Sequence, residues 1–122
     1  MSLIDWNSLP KAAGMRAGSV RQAVCAEHMS AVRVETAPDA VFDGKTHWHD
    51  NEQMLVMISG EVTLVIDDQT VLCRPGDLVF FPPGSRHAAT AVGPQGAVYY
   101  EIFAPARRDQ LPGWIGSSVL RY

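Results

Sequence analysis

The chain has 122 residues, 47% of them hydrophobic and 19% charged, which is the length and balance of one globular domain able to bury a core without disulfide or metal staples. Its formal net charge of -3, with ten Lys and Arg that form no basic stripe, excludes nucleic acid as an expected partner. No apolar run approaches the roughly 20 residues of a membrane span, and Met1-Ser2-Leu3-Ile4-Asp5 lacks the charged start and apolar core of a secretion signal, so a cytoplasmic chain without membrane contact is expected.

Helix signals are few. Ser8-Leu9-Pro10-Lys11-Ala12-Ala13 could form a short turn, which Gly14 and Gly18 would end. From Ser19 onward the chain reads as strands broken by turns. Ser19–Ala26 and Ala31–Thr36 are candidate strands, with His28 in a solvated turn between them. A loop of turn formers follows, Ala37-Pro38-Asp39-Ala40 and then Phe42-Asp43-Gly44. Gln53–Ile58 is a strand, Ser59-Gly60-Glu61 a tight turn and Val62–Ile66 the next strand, ending at Asp67-Asp68. Thr70–Cys73 and Leu78–Phe81 are short strands bounded by Pro75-Gly76-Asp77 and Pro82-Pro83-Gly84. His87–Val92 and Ala97–Phe103 complete the set, and the Pro- and Gly-bearing tail 105–122 is expected to wrap the outside. Cys25 and Cys73 are far apart and belong to no paired motif, so both should be free and buried. About eight short strands with frequent turns imply a single all-β domain over 1–122, a barrel or jelly roll with its core at about 19–104.

Two clusters carry chemistry. In Thr46-His47-Trp48-His49-Asp50-Asn51-Glu52-Gln53, strand alternation places His47, His49 and Gln53 on one face, along with Leu55 and Met57. Two imidazoles spaced in this way can share a metal if the strand bends. Trp48 should point outward, into core or a dimer interface. In the second cluster, Gly76 to His87, turn formers fix a bend just before a third histidine. Each cluster alone would also suit an ordinary hairpin.

Together they resemble the cupin family. Its first motif is His-x-His, three or four residues, Glu or Gln, six residues and Gly; His47, His49, Gln53 and Gly60 match it. Its second is Gly, five residues, Pro-x-Gly, two residues and His; Gly76, Pro82, Gly84 and His87 match it. The resemblance implies a double-stranded β-helix, the cupin jelly-roll barrel, holding one divalent transition metal (Zn, Ni, Mn, Fe or Cu) on His47, His49, Gln53 and His87. Val41 and Ala91 stand where the family has a turn glycine and an asparagine, and Gln53 replaces the usual glutamate. Glu52 is the other possible fourth ligand, but its parity faces it away from the histidines. A wholly neutral ligand set leaves the full 2+ charge on the metal and favours a small anionic substrate.

On the last strand Tyr99, Glu101 and Phe103 share one face. The segment Glu101-Ile102-Phe103-Ala104-Pro105-Ala106-Arg107-Arg108-Asp109 is similar to the C-terminal signature of small cupins related to the pectin-degradation protein, although that group usually has Asp at the first position. The likeness implies a metal-assisted isomerase or ring-opening enzyme acting on an unsaturated uronate or keto acid. Glu101 and Arg107 would be catalytic, with Met57, Tyr99 and Phe103 lining the substrate pocket. An Fe-dependent oxygenase and a non-catalytic ligand-binding cupin are the alternatives. The resemblance also implies a homodimer.

Overall fold

The computed structural model describes residues 2–122. Seven strands carry the fold: β1 Ala12–Ala13, β2 Ser19–Cys25, β3 Ser30–Thr36, β4 Glu52–Ile66, β5 Gln69–Cys73, β6 Leu78–Phe81 and β7 His87–Ala104. Helix among the described residues is limited to two short 3-10 turns, Trp6–Ser8 and Arg108–Gln110. The domain is therefore all-β, and among these residues no helix is long and apolar enough to cross a membrane.

All pairings are antiparallel, in the order β1-β2-β3-β7-β4-β5, with β6 added to β4. The two long strands build two layers from one sheet. The first half of β4 lies between β6 and the second half of β7, which pairs on its other side with β3. The second half of β4 lies between β5 and the first half of β7. Alternation on β3 shows the inward face directly: Ser30, Val32, Val34 and Thr36 are buried, and the residues between them are half-buried. Val32, Leu55, Met57, Val62, Cys73, Phe81 and Phe103 form the centre of the core.

Most expected strands end within a residue of the observed ones, with two physical differences. Ser59-Gly60-Glu61 and the stretch between Val92 and Ala97 do not break the chain into separate strands. They are irregularities inside β4 and β7, where the register shifts between Met57 and Ser59 and between Gly60 and Val62. Gly60 is at φ +69°, and a Cβ there would lie 2.1 Å from the Gly96 carbonyl oxygen, so the two bends require each other. The anticipated turn at Ser8–Ala13 is split into the 3-10 turn before it and β1, which pairs with β2. Cys73 is buried and Cys25 half-buried; both are free.

Candidate metal centre and cavity

The segment before β4 is not a regular strand, but it keeps the strand's alternation. His47, His49, Asn51 and Gln53 are buried, Trp48 is half-buried, and Asp50 and Glu52 are exposed. Backbone pairing fixes this segment: His47 exchanges both hydrogen bonds with His87, at 3.0 and 2.9 Å, which draws the two sequence clusters together. The three imidazoles form one group. Ring centroids are 4.6 Å apart for His47 and His87, 5.0 Å for His49 and His87, and 6.4 Å for His47 and His49.

Their hydrogen bonds show which nitrogens are free. His49 Nδ1 donates to the Asn51 carbonyl at 3.0 Å, and His87 Nδ1 donates to the Ser85 carbonyl at 2.9 Å. A neutral imidazole has one N–H, so Nε2 of each ring then carries a lone pair. His49 Nε2 faces Gln53 Oε1 at 3.0 Å, an acceptor against an acceptor. His87 Nε2 and His47 Nδ1 are buried with no partner among the described residues. The rings are neutral near pH 7. Burial, helped by His87 and His49, pushes the His47 pKa down to about 3. Burial and then His49 push His87 down to about 4, against the bond to Ser85. Burial also lowers His49.

Buried ring nitrogens without donors are unusual, and a cation would satisfy them. As the side chains stand, no three His, Cys, Asp or Glu among the described residues form a ready-made metal site. His47, His49 and His87, with the Gln53 oxygen as a fourth donor, are the residues that could hold a cation. Three imidazoles and an amide suit a divalent transition metal.

Gln53 links this group to the chemistry expected from β7. Its Nε2 donates to Glu101 Oε2 at 2.6 Å. Glu101 and Tyr99 point inward on β7 and line a cavity of about 260 Å³ that also touches His47, Gln53 and His87. Burial raises the Glu101 pKa, while Arg107, Arg16 and the Gln53 amide pull it back. Arg107 reaches the same cavity, but its Nε and Nη2 are held by Asp109 at 3.2 and 2.8 Å in a buried ion pair. Met57 and Phe103 have the inward parity yet do not line the cavity. Both are 1% exposed in the core, because the inward face of the barrel is shared between cavity and core. Phe103 packs on the His49 ring at 5.7 Å and lies under the Arg107 guanidinium at 5.0 Å.

Several cavity residues were not anticipated. Arg16 comes from the loop between β1 and β2, and Ser118 and Leu120 come from the tail. The tail therefore crosses the mouth as well as wrapping the outside. Arg121 exchanges backbone bonds with Trp48, both 2.9 Å, and its guanidinium lies 5.0 Å over the Trp48 ring. Asp109 accepts from Ser118 Oγ and Val119 N, each at 3.2 Å. No local sequence signal marks these residues, since only long-range pairing brings them here.

Known proteins agree with this architecture. The Cupin domain model matches residues 32–103. No curated protein matches the sequence. Among solved structures, KdgF from Halomonas sp. superposes with a TM-score of 0.78 at 21% identity, covering 91% of this chain and 99% of that one. An RmlC-like cupin from Shewanella frigidimarina NCIMB 400 gives 0.75 at 25% identity, covering 89% and 95%. Oxalate decarboxylase from Bacillus subtilis, a protein with Mn(II) centres, gives 0.68 at 22% identity, covering 84% of this chain and 29% of the decarboxylase. With more than half of its length matched by the domain model and its barrel built to the same plan, the chain belongs to the cupin family.

Proposed function

We propose that this cupin is a metal-dependent isomerase that opens the ring of a small unsaturated uronate or a related keto acid. The observation that carries the reading is the group of buried ring nitrogens that meet no donor, His47 Nδ1, His87 Nε2 and His49 Nε2 against the Gln53 oxygen, beside a cavity lined by Glu101. Further support comes from the Glu101-to-Asp109 signature, and from the Mn(II) centres of the structurally similar decarboxylase. His47, His49, His87 and Gln53 are the proposed ligands of one divalent metal. Bound there, such an ion supplies Lewis-acid polarisation of a substrate oxygen.

The residues of the chain supply the proton traffic. In ring opening, the anomeric hydroxyl loses its proton as the C1–O5 bond breaks, and the enol released at C5 takes a proton at C4 to become a ketone. The net change moves one proton from O1 to C4 and needs no co-reactant. Glu101 is the carrier: it faces the cavity, and burial holds its pKa above the ordinary carboxylate value, nearer working pH. Its bond to Gln53 fixes the carboxyl's position. The small cavity suits one monosaccharide-sized ligand better than a polymer.

The cupin is also proposed to work as a homodimer. Met54 and Phe80 pair directly across β4 and β6, and with Leu78 they expose an apolar outer face.

The test is turnover of an unsaturated uronate, followed by loss of its conjugated ultraviolet absorbance. Wild type should convert it, and Glu101→Gln should lose at least about 100-fold in kcat while still binding the substrate. Full activity in Glu101→Gln would remove its proton-carrier role. Binding without turnover in wild type would make the chain a ligand-binding cupin.

A further inference from the structure

We infer that Arg16, on the loop between β1 and β2, is the residue that takes the carboxylate of the cavity's ligand. The inference rests on the reading of the cavity as a small-anion site.

The charges around the cavity are unevenly committed. Arg107 gives two guanidinium nitrogens to Asp109 in a buried pair. Arg21 donates to the backbone carbonyls of Gln110 and Ala13, at 2.9 and 2.5 Å. Arg16 also lines the cavity, yet it makes no ion pair among the described residues. Its guanidinium lies 4.6 Å over the Phe42 ring, so its face is stacked while its edge keeps N–H donors in excess of any one hydrogen bond. Glu101 and Tyr99 line the same cavity as Arg16, and the Tyr99 hydroxyl takes one of its hydrogen bonds there.

The backbone beneath it is fixed. Ser19 N donates to the Arg16 carbonyl at 3.1 Å, and Val41 N donates to the adjacent Ala17 carbonyl at 3.3 Å. Gly14 has no room for a side chain, because a Cβ there would meet Ser19 Oγ at 2.5 Å. A stacked, backbone-anchored guanidinium loses little freedom on binding, and its fork matches a carboxylate bidentately. Arg16 would then hold the acid group of a sugar acid on the Tyr99 side of the cavity. That placement leaves the rest of the ring for Glu101 and the histidines.

The experiment is calorimetric titration of wild type, Arg16→Gln and Arg16→Lys with galacturonate and with its uncharged methyl ester. Wild type should prefer the acid. Arg16→Gln should bind the acid at least about tenfold more weakly and the ester within about twofold of wild type, and Arg16→Lys should recover part of the loss. If Arg16→Gln binds the acid like wild type, or weakens acid and ester alike, the assignment of Arg16 is overturned while the anion site stands. If wild type binds neither probe, the anion site fails and the assignment fails with it.

Discussion

At the scale of single residues, the choice of glutamine at position 53 has a physical cause. Its side chain offers an oxygen to the histidine group and a donor to Glu101 at once, which an ionised carboxylate cannot do. A glutamate there would set two carboxyl groups 2.6 Å apart with no donor guaranteed between them. We expect Gln53→Glu to destabilise the metal-free protein by about 2 kcal/mol, measured by urea unfolding in the presence of a chelator. Strand parity separated buried Gln53 from exposed Glu52, and it brought Tyr99 and Glu101 to the inner face, so these positions were legible in the sequence. Parity does not give depth along the barrel, and for that reason Met57 and Phe103 read as pocket residues although they belong to the core. The buried Asn51, which accepts from His49 through its carbonyl, shares the parity of the histidines, yet it falls among the motif's three spacing residues and carries no signal of its own.

At the scale of elements, strand positions follow from local alternation and turn residues, whereas the bulges do not. Gly60 and Gly96 look like hairpin turns because the glycine they need for a positive φ is the same residue a turn would use. The tail was the least legible part. Its course over the cavity mouth is set by Asp109, which holds Arg107 and accepts from Ser118 and Val119 as well. Burial alone would raise the Asp109 pKa, but the Arg107 bond and charge, with the Val119 and Ser118 donors, hold it below the ordinary value of 3.8. The unfolded chain therefore takes up this proton more readily than the folded one. The stabilisation is complete above the ordinary value and is lost as pH falls through the lower folded value. Asp109→Asn should cost about 3 kcal/mol at pH 7, because it leaves the buried Arg107 without its counter-charge. Denaturant titrations at several acidic pH values should show a correspondingly flatter fall in stability for the variant. An equally steep acid loss in Asp109→Asn would place the titrating group elsewhere.

At the scale of the whole molecule, the barrel has two contrasting faces. The inner one gathers polar and ionisable groups around a small cavity. The outer one presents Met54, Leu78 and Phe80 at 42%, 62% and 47% exposure, the apolar surface on which the proposed pairing with a second copy rests. Sedimentation equilibrium should give a dimer for wild type and a monomer for Phe80→Glu, and a monomeric wild type would refute the pairing. Fold and family were readable because the two histidine motifs carry their own turn chemistry and spacing. The mouth of the cavity was not, since Arg16 comes from near one end of the chain and Asp109 and Ser118 from the tail at the other, and they meet only after the sheet has closed.

If the proposed ligand set is right, the three histidines and Gln53 hold one metal ion. Elemental analysis of untagged protein, beside a His47→Ala/His49→Ala double variant, measures this. Wild type should hold about one divalent transition-metal ion per chain and the variant none. A wild-type protein that is empty as purified and cannot be loaded, or a double variant that retains its metal, would contradict it.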